Sequence, residues 1–581
     1  MCGIAGAVGF TDASRITREM LAAIAHRGPD GKGFIDSDDR SLGMCRLRIR
    51  GDASLQVPIW NETAGGWVAY NGEVYGARET EGTRIPAPSD SAGEVDLIYS
   101  AANGGAALDG MYATALISSH ADTIELRRDA FGIKPLFWRR LPTGNLFASE
   151  LTPLKLVTDH PSSIRQSAIA ELLAFGRNLG DKTIYDDVHS VPPGGSLLLS
   201  RDGIERYSPD PATVDAPNAF AADLRESLRH SIERCLISDR PVGLALSGGL
   251  DSTIIAHDLN SIGVEGITTV SVRIPGVTDG LSDLGRLGFT SGGAWTTWRH
   301  KVVTFSPSDF QTMMDRAVIT LGQPTRLTSA PLYLLLAQAA SEAGIVVLLT
   351  GEGADELLSG YASYLGWRDG AARLNGWRRL LDFAFPSSRR SWVVRLLGPE
   401  ACSICESRFQ DAYEITEDME PFQALRHLEK SLSLEPLLIR MDHCLMRFGV
   451  EGRTPYLHGD VPAVCATFGE RALLSGDTTK LALRTAYSDA LAGSGNLFPK
   501  RAFRLPIATW FSTCLSGWIS ERLRDRMGEI EEFGLRPDGV NALLDATLSG
   551  DAEASSLCFA VLSLLPWKDH CFQASEALHE F

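Results

Sequence analysis

The stretch VGLALSGGLDSTIIAH at 242–257 decides the fold of the second half of the chain. Its first six residues form a short apolar run that predicts a buried strand, and a Gly-Gly pair separates this run from a helical segment. Apolar runs at 267–272 and 345–350 predict further strands, and the helical segment 330–344 precedes the second. Strands that alternate with helices predict a parallel α/β sheet.

The same stretch carries chemistry in its loop, Leu246 to Ser252. Two glycines allow close backbone approach, and the N–H groups that open the following helix can bind phosphate. Serine hydroxyls add donors, and Asp251 can hold Mg²⁺. The Gly-Lys-Ser/Thr of a Walker A loop is absent. The loop resembles the pyrophosphate loop of the ATP pyrophosphatase superfamily, which implies that ATP is cleaved to an adenylate and pyrophosphate.

The N-terminus is a second candidate site. If Met1 is removed, Cys2 carries both a thiol and a free α-amine, with ordinary pKa values of about 8.5 and 7.7–8.0. The amine can then act as the base for the thiol, so one residue supplies nucleophile and base. Downstream, the runs GWVAYNGEVY, ATALISS, TIELRRD, GNLFASE and GGSLLLS alternate with turn residues and predict a β-rich domain.

Four motifs accompany Cys2: HRGPDG at 26–31, NGEVY at 71–75, RDAFGIKPL at 128–136 and FASE at 147–150. Their order and spacing resemble the N-terminal-nucleophile glutaminase domain of class B asparagine synthetases over about residues 1–205. The resemblance implies the following roles: Cys2 is the nucleophile, Asn71 and Gly72 donate to the oxyanion, Arg46 holds the glutamine carboxylate and Glu73 contacts its α-amine. An oxyanion needs fixed donors, and an amino acid needs one cation and one anion placed opposite it.

One position departs from that family pattern. The family has Ser-Asp-x-Glu-Val where this chain has Ser91-Ala-Gly-Glu-Val95, so alanine replaces the aspartate that also holds the glutamine ammonium. Asp90 or Glu94 could compensate, and the sequence leaves both open.

A third segment, TGEGADEL at 350–357, follows a predicted strand and resembles the synthetase motif T-G-E-G-x-D-E. The resemblance implies that Asp355 is a second magnesium ligand beside Asp251 and that Glu352 is an acid–base residue. The family's cationic positions fall on Arg453, Lys480, Arg484 and Lys500-Arg501, which we expect to offset phosphate or adenylate charge. The nucleotide site is then predicted to comprise Leu246, Ser247, Gly248, Gly249, Asp251, Ser252, Gly351 and Lys480.

The segments that face the acceptor depart further from the family. Of the acidic helix and histidine expected at 276–300, only His300 is retained, and the family's D-E-P-x-x-D-S-S is GQPTRLTS at 322–329. The family's P-F-L-D ends here in His458. Either the acceptor differs from aspartate and ammonia, or these segments have drifted without touching substrate.

The fold prediction is α/β plus α+β in two domains. An N-terminal-nucleophile glutaminase αββα sandwich is expected over 1–208, and an ATP-pyrophosphatase-type parallel α/β domain with a helical C-terminal part over 218–581. The proline-rich stretch 207–220 predicts the boundary, and apolar residues every four positions predict a helix at 220–237. Beyond about residue 360 the chain reads as mostly helical.

The composition of the chain disfavours some classes of binding partner. The 581 residues include 55 Lys+Arg and 72 Asp+Glu, a formal net charge of −17, which disfavours nucleic acid and anionic membranes. No apolar run is long enough for a membrane span, and no signal peptide or disulfide framework is evident. We therefore expect small-molecule substrates and a cytoplasmic protein, with a homodimer left open.

Together these features predict a glutamine-dependent ligase that consumes ATP, releases AMP and pyrophosphate, and amidates an adenylated carboxylate, aspartate by default. ATP and Mg²⁺ are the expected cofactors. The alternative is a ligase of the lasso-peptide-cyclase or β-lactam-synthetase kind, which joins another substrate, such as a peptide, with little or no use of glutamine. The intact loop motifs disfavour a third class, a non-catalytic scaffold.

Overall fold

A computed structural model describes residues 2–572 apart from 53, 63–64, 80–83, 87, 89, 103–105, 119–121, 157–161, 208–222, 278–293, 370–375 and 492–504. The predicted boundary at 207–220 falls almost wholly outside the described residues. Most of the divergent segment 276–300 and the predicted cations Lys500-Arg501 also lie outside them.

Two antiparallel sheets form the N-terminal part. Their strands are β1 (Cys2–Val8), β2 (Gly31–Asp36), β3 (Arg40–Arg46), β4 (Ile59–Asn61), β5 (Gly66–Glu79), β6 (Arg84–Ile85), β7 (Ala106–Ser118), β8 (Thr123–Arg128), β9 (Phe137–Leu141), β10 (Gly144–Ala148), β11 (Val188–Ser190), β12 (Ser196–Ser200) and β13 (Ile204–Tyr207). One sheet has the order β11-β9-β10-β1-β3-β2; the other has β13-β12-β8-β7-β5-β4, with β6 beside β5. The five predicted β-like runs are confirmed as β5, β7, β8, β10 and β12.

Helices cover the outer faces of this pair of sheets. They are α1 (Ala13–Ala23), α2 (Ser91–Ala102), α3 (Leu151–Leu156) and α4 (Ala168–Phe175). The α1 helix packs on β1 and β3, and α2 packs on β5 and β7. Alternating residues of the strands, among them Ile4, Met44, Val68 and Ala115, fill the space between the sheets. The predicted αββα sandwich is confirmed.

The second part is built on a parallel sheet of β14 (Val242–Ala245), β15 (Thr268–Arg273), β16 (Arg299–Thr304), β17 (Val347–Leu349) and β18 (Glu451–Arg453). Its order is β16-β15-β14-β17-β18. The three predicted strands are confirmed as β14, β15 and β17. Because β14 and β17 are parallel neighbours, the loops that follow them meet at one edge of the sheet.

Helices surround this sheet and make up most of the chain beyond residue 360, as predicted. They are α5 (Leu224–Cys235), α6 (Leu250–Ser261), α7 (Pro307–Leu321), α8 (Ala330–Glu342), α9 (Ala354–Leu358), α10 (Ser363–Asp369), α11 (Gly376–Ala384), α12 (Ser387–Leu397), α13 (Pro399–Tyr413), α14 (Pro421–Glu429), α15 (Glu435–Met446), α16 (Val461–Ala466), α17 (Glu470–Leu473), α18 (Leu481–Ala486), α19 (Ser488–Leu491), α20 (Ile507–Ser512), α21 (Ser516–Asp525), α22 (Met527–Glu531), α23 (Pro537–Leu548) and α24 (Ala552–Phe572). Short 3₁₀ turns lie at Ala25–Arg27, Ala294–Thr297, Glu414–Thr416 and Pro455–Leu457, and a π-helical turn at Lys430–Leu434 joins α14 to α15.

Asp223 caps α5 by accepting a hydrogen bond from the Arg225 N–H, so the predicted helix at 220–237 is confirmed from residue 224 onward. Within the described part of the chain, no helix has the length and apolarity that crossing a membrane requires.

Candidate active site

Cys2 opens β1 in the middle of its sheet and is 5% exposed. Its backbone N–H donates to Asn71 Oδ1 across the sandwich at 3.1 Å. The side-chain Nδ2 of Asn71 is buried and has no hydrogen-bond partner among the described residues. Asn71 is thus a buried residue in contact with the Cys2 backbone, and its unpartnered amide donor suits the negative oxygen of a tetrahedral intermediate. Burial raises the pKa of the Cys2 thiol.

The residue after Asn71 must be glycine. Gly72 has φ +137°, and a Cβ there would lie 1.8 Å from the carbonyl oxygen of Met111 on the paired strand. The backbone of β5 can therefore approach β7 this closely only with glycine at this position.

A narrow cavity of about 20 Å³ connects Cys2, Arg46, Gly72 and Glu73. Four of the five residues predicted for glutamine chemistry thus line this cavity, which has the volume of about one water molecule. Asn71 is not part of the lining. The Arg46 guanidinium donates to the carbonyls of Arg50 and Asp52, each at 2.8 Å, and so fixes the loop that closes the cavity.

Arg50, which sequence reasoning missed, lies in the same place and is 8% exposed. Its Nη1 lies 3.4 Å from Glu73 Oε2 and 3.2 Å from Glu94 Oε1. Of the two residues that could compensate for Ala92, Glu94 is buried beside Glu73, whereas Asp90 is exposed and accepts a hydrogen bond from the Gly93 N–H.

Glu73 belongs to a buried group of charges. Arg453 of β18 lies 3.7 Å from Glu73 Oε1 and donates to Glu451 at 2.5 Å. Three carboxylates, those of Glu73, Glu94 and Glu451, thus share the two guanidinium groups of Arg50 and Arg453. Burial, followed by the charges of Glu94 and Glu451, raises the pKa of Glu73 to about 8.

The loop Ser247–Gly249 connects β14 to α6 at the edge where the parallel strands end. Gly248 has φ +73°, and Gly249 is the residue before the first helical turn. The hydroxyls of Ser247 and Ser252 lie 3.1 Å apart, and the Gly249 N–H donates to Ser247 Oγ at 3.3 Å. These contacts hold the loop in place through its serine hydroxyl groups. The loop lies at the start of a 12-residue helix, where backbone N–H groups favour an anion.

Lys480 joins this loop to the segment after β17. Its ammonium lies 2.5 Å from Asp251 Oδ1 and 2.7 Å from Asp355 Oδ1. Lys480 is 4% exposed and has φ +55°, a left-handed conformation that non-glycine residues rarely adopt. The two carboxylates raise its pKa against the effect of burial. Gly360 leaves room for the Lys480 side chain between the two carboxylates, because a Cβ at position 360 would lie 2.1 Å from Lys480 Cε.

Glu352 faces the same space and is held by a residue that the sequence did not reveal. Arg440 of α15 donates to Glu352 Oε1 and to Ser329 Oγ, both at 2.5 Å, and its guanidinium lies 4.3 Å from the centre of the Tyr333 ring. Burial raises the pKa of Glu352, and Arg440 opposes that rise. The carboxyl group is thereby held near the phosphate loop in a fixed orientation.

A cavity of about 880 Å³ joins these groups. Residues predicted for the nucleotide site that line it are Leu246, Ser247, Gly249, Asp251, Ser252, Gly351, Glu352, Asp355, Lys480 and Arg484. The volume falls within the range of about 300–1,000 Å³ typical of small-molecule sites.

Arg453 is a correction to the sequence analysis, which placed it among the phosphate-facing cations. It is fully buried away from the cavity, where it donates to Glu451 and to the carbonyls of Cys235 and Ile237. His300 also lies outside the cavity lining: it is on β16 and contacts Thr269 Oγ1 at 2.8 Å.

The motifs HRGPDG and RDAFGIKPL connect the two parts of the chain. Arg27 donates to Glu150 at 2.9 Å and to Asp442 at 2.7 Å, and Arg128 donates to Glu435 at 2.7 Å. Both arginines are at most 1% exposed. Pairs that lie 415 and 307 positions apart in the chain cannot be found from local spacing.

A buried cysteine at position 2 of an αββα sandwich, followed by a loop on a parallel sheet where backbone N–H groups favour an anion, is the arrangement of an ATP-dependent ligase that takes nitrogen from glutamine. The chain belongs to the asparagine synthase family, whose model matches residues 223–569; a model described as a glutamine amidotransferase domain matches residues 1–208. The chain is 24% identical to asparagine synthetase [glutamine-hydrolyzing] 1 of Bacillus subtilis (strain 168), over 98% of this chain and 96% of that protein. It is 25% identical to a putative asparagine synthetase [glutamine-hydrolyzing] of Mycobacterium tuberculosis (strain ATCC 25618 / H37Rv), over 97% and 95%.

Proposed function

We propose that this chain hydrolyses glutamine at Cys2 and transfers the nitrogen to a carboxylate that it activates with ATP, with aspartate as the default acceptor. Domains 1–208 and 218–581 perform the two halves. The observation that carries the proposal is the position of the Lys480 ammonium between the carboxylates of Asp251 and Asp355. Asp251 directly follows the phosphate loop, and all three residues line the large cavity.

In the first half, Cys2 Sγ attacks the side-chain carbonyl carbon of glutamine. Asn71 Nδ2 and the Gly72 N–H stabilise the resulting oxyanion, and the α-amine of Cys2, once Met1 is removed, receives the thiol proton. Ammonia leaves, and water hydrolyses the thioester to glutamate. Arg46 holds the carboxylate of glutamine, and Glu73 holds its α-ammonium.

In the second half, an oxygen of the acceptor carboxylate attacks the α-phosphorus of ATP and pyrophosphate leaves. Ammonia then attacks the acyl carbon, and AMP leaves. Lys480 offsets charge on the phosphates, and Glu352 can accept a proton from the attacking nitrogen.

Mg²⁺ fits the residues present. Asp251 and Asp355 each place one carboxylate oxygen on the Lys480 ammonium, and carboxylate oxygens together with substrate phosphates are the ligands that Mg²⁺ prefers. Bound there, the ion would neutralise phosphate charge. The described residues hold no group of three or more His, Cys, Asp or Glu side chains that could bind a metal without substrate.

The sequence also predicts a cytoplasmic location, no nucleic-acid partner and, as open choices, a homodimer and a peptide acceptor. These stay predictions. The buried Cys2 beside an unpartnered amide supports the glutamine-dependent function over a ligase that bypasses glutamine.

The test of the proposal is product formation from glutamine, ATP, Mg²⁺ and a panel of carboxylates. We expect AMP, pyrophosphate and glutamate to form together with aspartate or another acid of the panel. Release of ADP and phosphate in place of AMP and pyrophosphate would overturn it.

A further inference from the structure

Arg50 lies in the glutamine pocket between the two carboxylates that are placed to hold an α-ammonium. Its Nη1 is 3.4 Å from Glu73 Oε2 and 3.2 Å from Glu94 Oε1. Glu73 is the residue that the family resemblance assigns to the α-amine, and Glu94 is the buried carboxylate nearest to Ala92 in the chain. A cation of the protein therefore lies where the cation of the substrate is expected.

The two carboxylates are held in place by the amidotransferase domain itself. Glu94 accepts a hydrogen bond from the Tyr70 hydroxyl at 2.6 Å and from the Val74 N–H at 3.3 Å. Glu73 is buried and lines the small cavity beside Cys2. Fixed carboxylates at the end of a cavity can pair with a cation of either source, a side chain or a substrate.

Glutamine can enter this cavity only if part of the wall moves. The cavity has a volume of about 20 Å³, close to that of one water molecule, and an amino acid is several times larger. The two contacts of Arg50 Nη1 with the carboxylates, at 3.2 and 3.4 Å, are longer than ordinary charged hydrogen bonds. Its Nη2 donates to the Pro88 carbonyl at 2.5 Å, so Nη1 can release the carboxylates while Nη2 keeps its partner.

The backbone beside Arg50 is fixed by the synthetase domain. Asp239 donates its N–H to the Ile49 carbonyl at 3.0 Å, and its carboxylate accepts from the Gly51 N–H at 2.9 Å. Ile49 also belongs to one buried apolar cluster with Val347 of β17. The side chain of Arg50, rather than the backbone of its loop, is therefore the part of this wall that is free to move.

We propose that Arg50 competes with the α-ammonium of glutamine for Glu73 and Glu94, and so sets how strongly the site prefers a nitrogen donor with a free α-amine. An ammonium that displaces Arg50 gains ion pairs that the protein gives up, so the preference of the unmodified chain is small. This inference rests on the proposed hydrolysis of glutamine at Cys2 and concerns the donor alone.

The test compares glutamine with 4-carbamoylbutanoate, which is glutamine without its α-amine. Ammonia release by the full chain gives kcat/KM for each donor, and the ratio of the two values measures the preference. In Arg50→Met we expect this ratio to rise by about tenfold, the size of one hydrogen bond to a charged group. The rise should come from a lower KM for glutamine.

Two further variants locate the effect. Arg48→Met makes the same substitution in the same loop, outside the lining of the cavity, and should keep the ratio of the unmodified chain. Arg50→Met combined with Glu94→Gln avoids an uncompensated buried carboxylate and serves if Arg50→Met alone does not fold. Compared with Glu94→Gln alone, the combined variant should again show the higher ratio, because Glu73 is still present.

The outcomes separate this inference from the proposed function. An unchanged ratio in both Arg50 variants, or an equal rise in Arg48→Met, would overturn the competition and leave glutamine hydrolysis standing. A higher KM for glutamine in Arg50→Met would also overturn it, because Arg50 would then support binding of the donor. Ammonia release from neither donor by the unmodified chain would overturn hydrolysis at Cys2 and the inference with it.

Discussion

Arg453 of the synthetase sheet contacts Glu73 of the amidotransferase domain, with 3.7 Å between Nη2 and Oε1. Arg453 also accepts, through its carbonyl, a hydrogen bond from the Thr350 N–H, immediately before the Gly351-Glu352 segment. One buried side chain therefore touches the glutamine pocket while its backbone supports the segment that faces ATP.

Replacing Cys2 by alanine should abolish glutamate release and product formation from glutamine. The thiol is the only nucleophile in the proposal, whereas the ATP site lies in the other domain. Ammonium chloride should therefore still support product formation in the variant, and the exposed Cys514→Ala is the control. Glutamate release that survives in Cys2→Ala would contradict the assignment.

The pH dependence of glutamine use should follow Glu73. Its pKa is raised from 4.5 to about 8, so kcat/KM for glutamine should rise as the pH approaches 8 and Glu73 ionises. The folded state then binds more protons than the unfolded state between these values, and stability falls as pH rises across that window. Glu94→Gln removes a negative neighbour and should move the rise to lower pH. A rise that keeps its position in this variant would argue against Glu73.

Arg50→Leu should lower the free energy of unfolding by about 3 kcal/mol, because removing one partner leaves buried carboxylates without a counter-charge. Adding Glu94→Gln should recover part of that loss. Arg18→Leu removes an exposed pair with Asp36 in the same domain and should cost less than about 1 kcal/mol. Urea unfolding measures all three; equal losses for Arg50 and Arg18 would refute the buried charge group.

Lys480→Gln should reduce pyrophosphate release by about 10²- to 10³-fold, the usual effect of removing one group that stabilises charge in the transition state. Glutamate release from glutamine should persist, since Lys480 is in the other domain. Lys301→Gln serves as the control, because Lys301 of β16 forms an ion pair with Glu342 at the surface. Pyrophosphate release at the unmodified rate in Lys480→Gln would contradict a role for Lys480 in the ATP site.

The sequence predicts those helices and strands whose hydrophobic pattern is long or strongly apolar. The run GWVAYNGEVY lies within β5 and is rich in the aromatic and β-branched residues that favour strands. β18 escapes prediction because its three residues, Glu451 to Arg453, include two charged groups that only tertiary pairing can bury.

The residues of the candidate site also divide into those that the sequence predicts and those that it does not. The loop at Ser247 and the cysteine at position 2 are predictable because their chemistry depends on neighbouring residues in the chain. Arg50 and Arg440 are not, because each gains its place in the site from a partner that the fold brings from a distant segment. A lone arginine has no local signal that separates these positions from surface ones.

The most direct measurement follows nitrogen from glutamine into product. The full chain is incubated with glutamine labelled with ¹⁵N in its side-chain amide, together with ATP, Mg²⁺ and an acid that elicits pyrophosphate release. Mass spectrometry of the product is combined with counts of AMP and glutamate. We predict one ¹⁵N per amide product and nearly equal AMP and glutamate. Unlabelled product, or AMP formed without glutamate, would contradict the coupling of Cys2 to the ATP site.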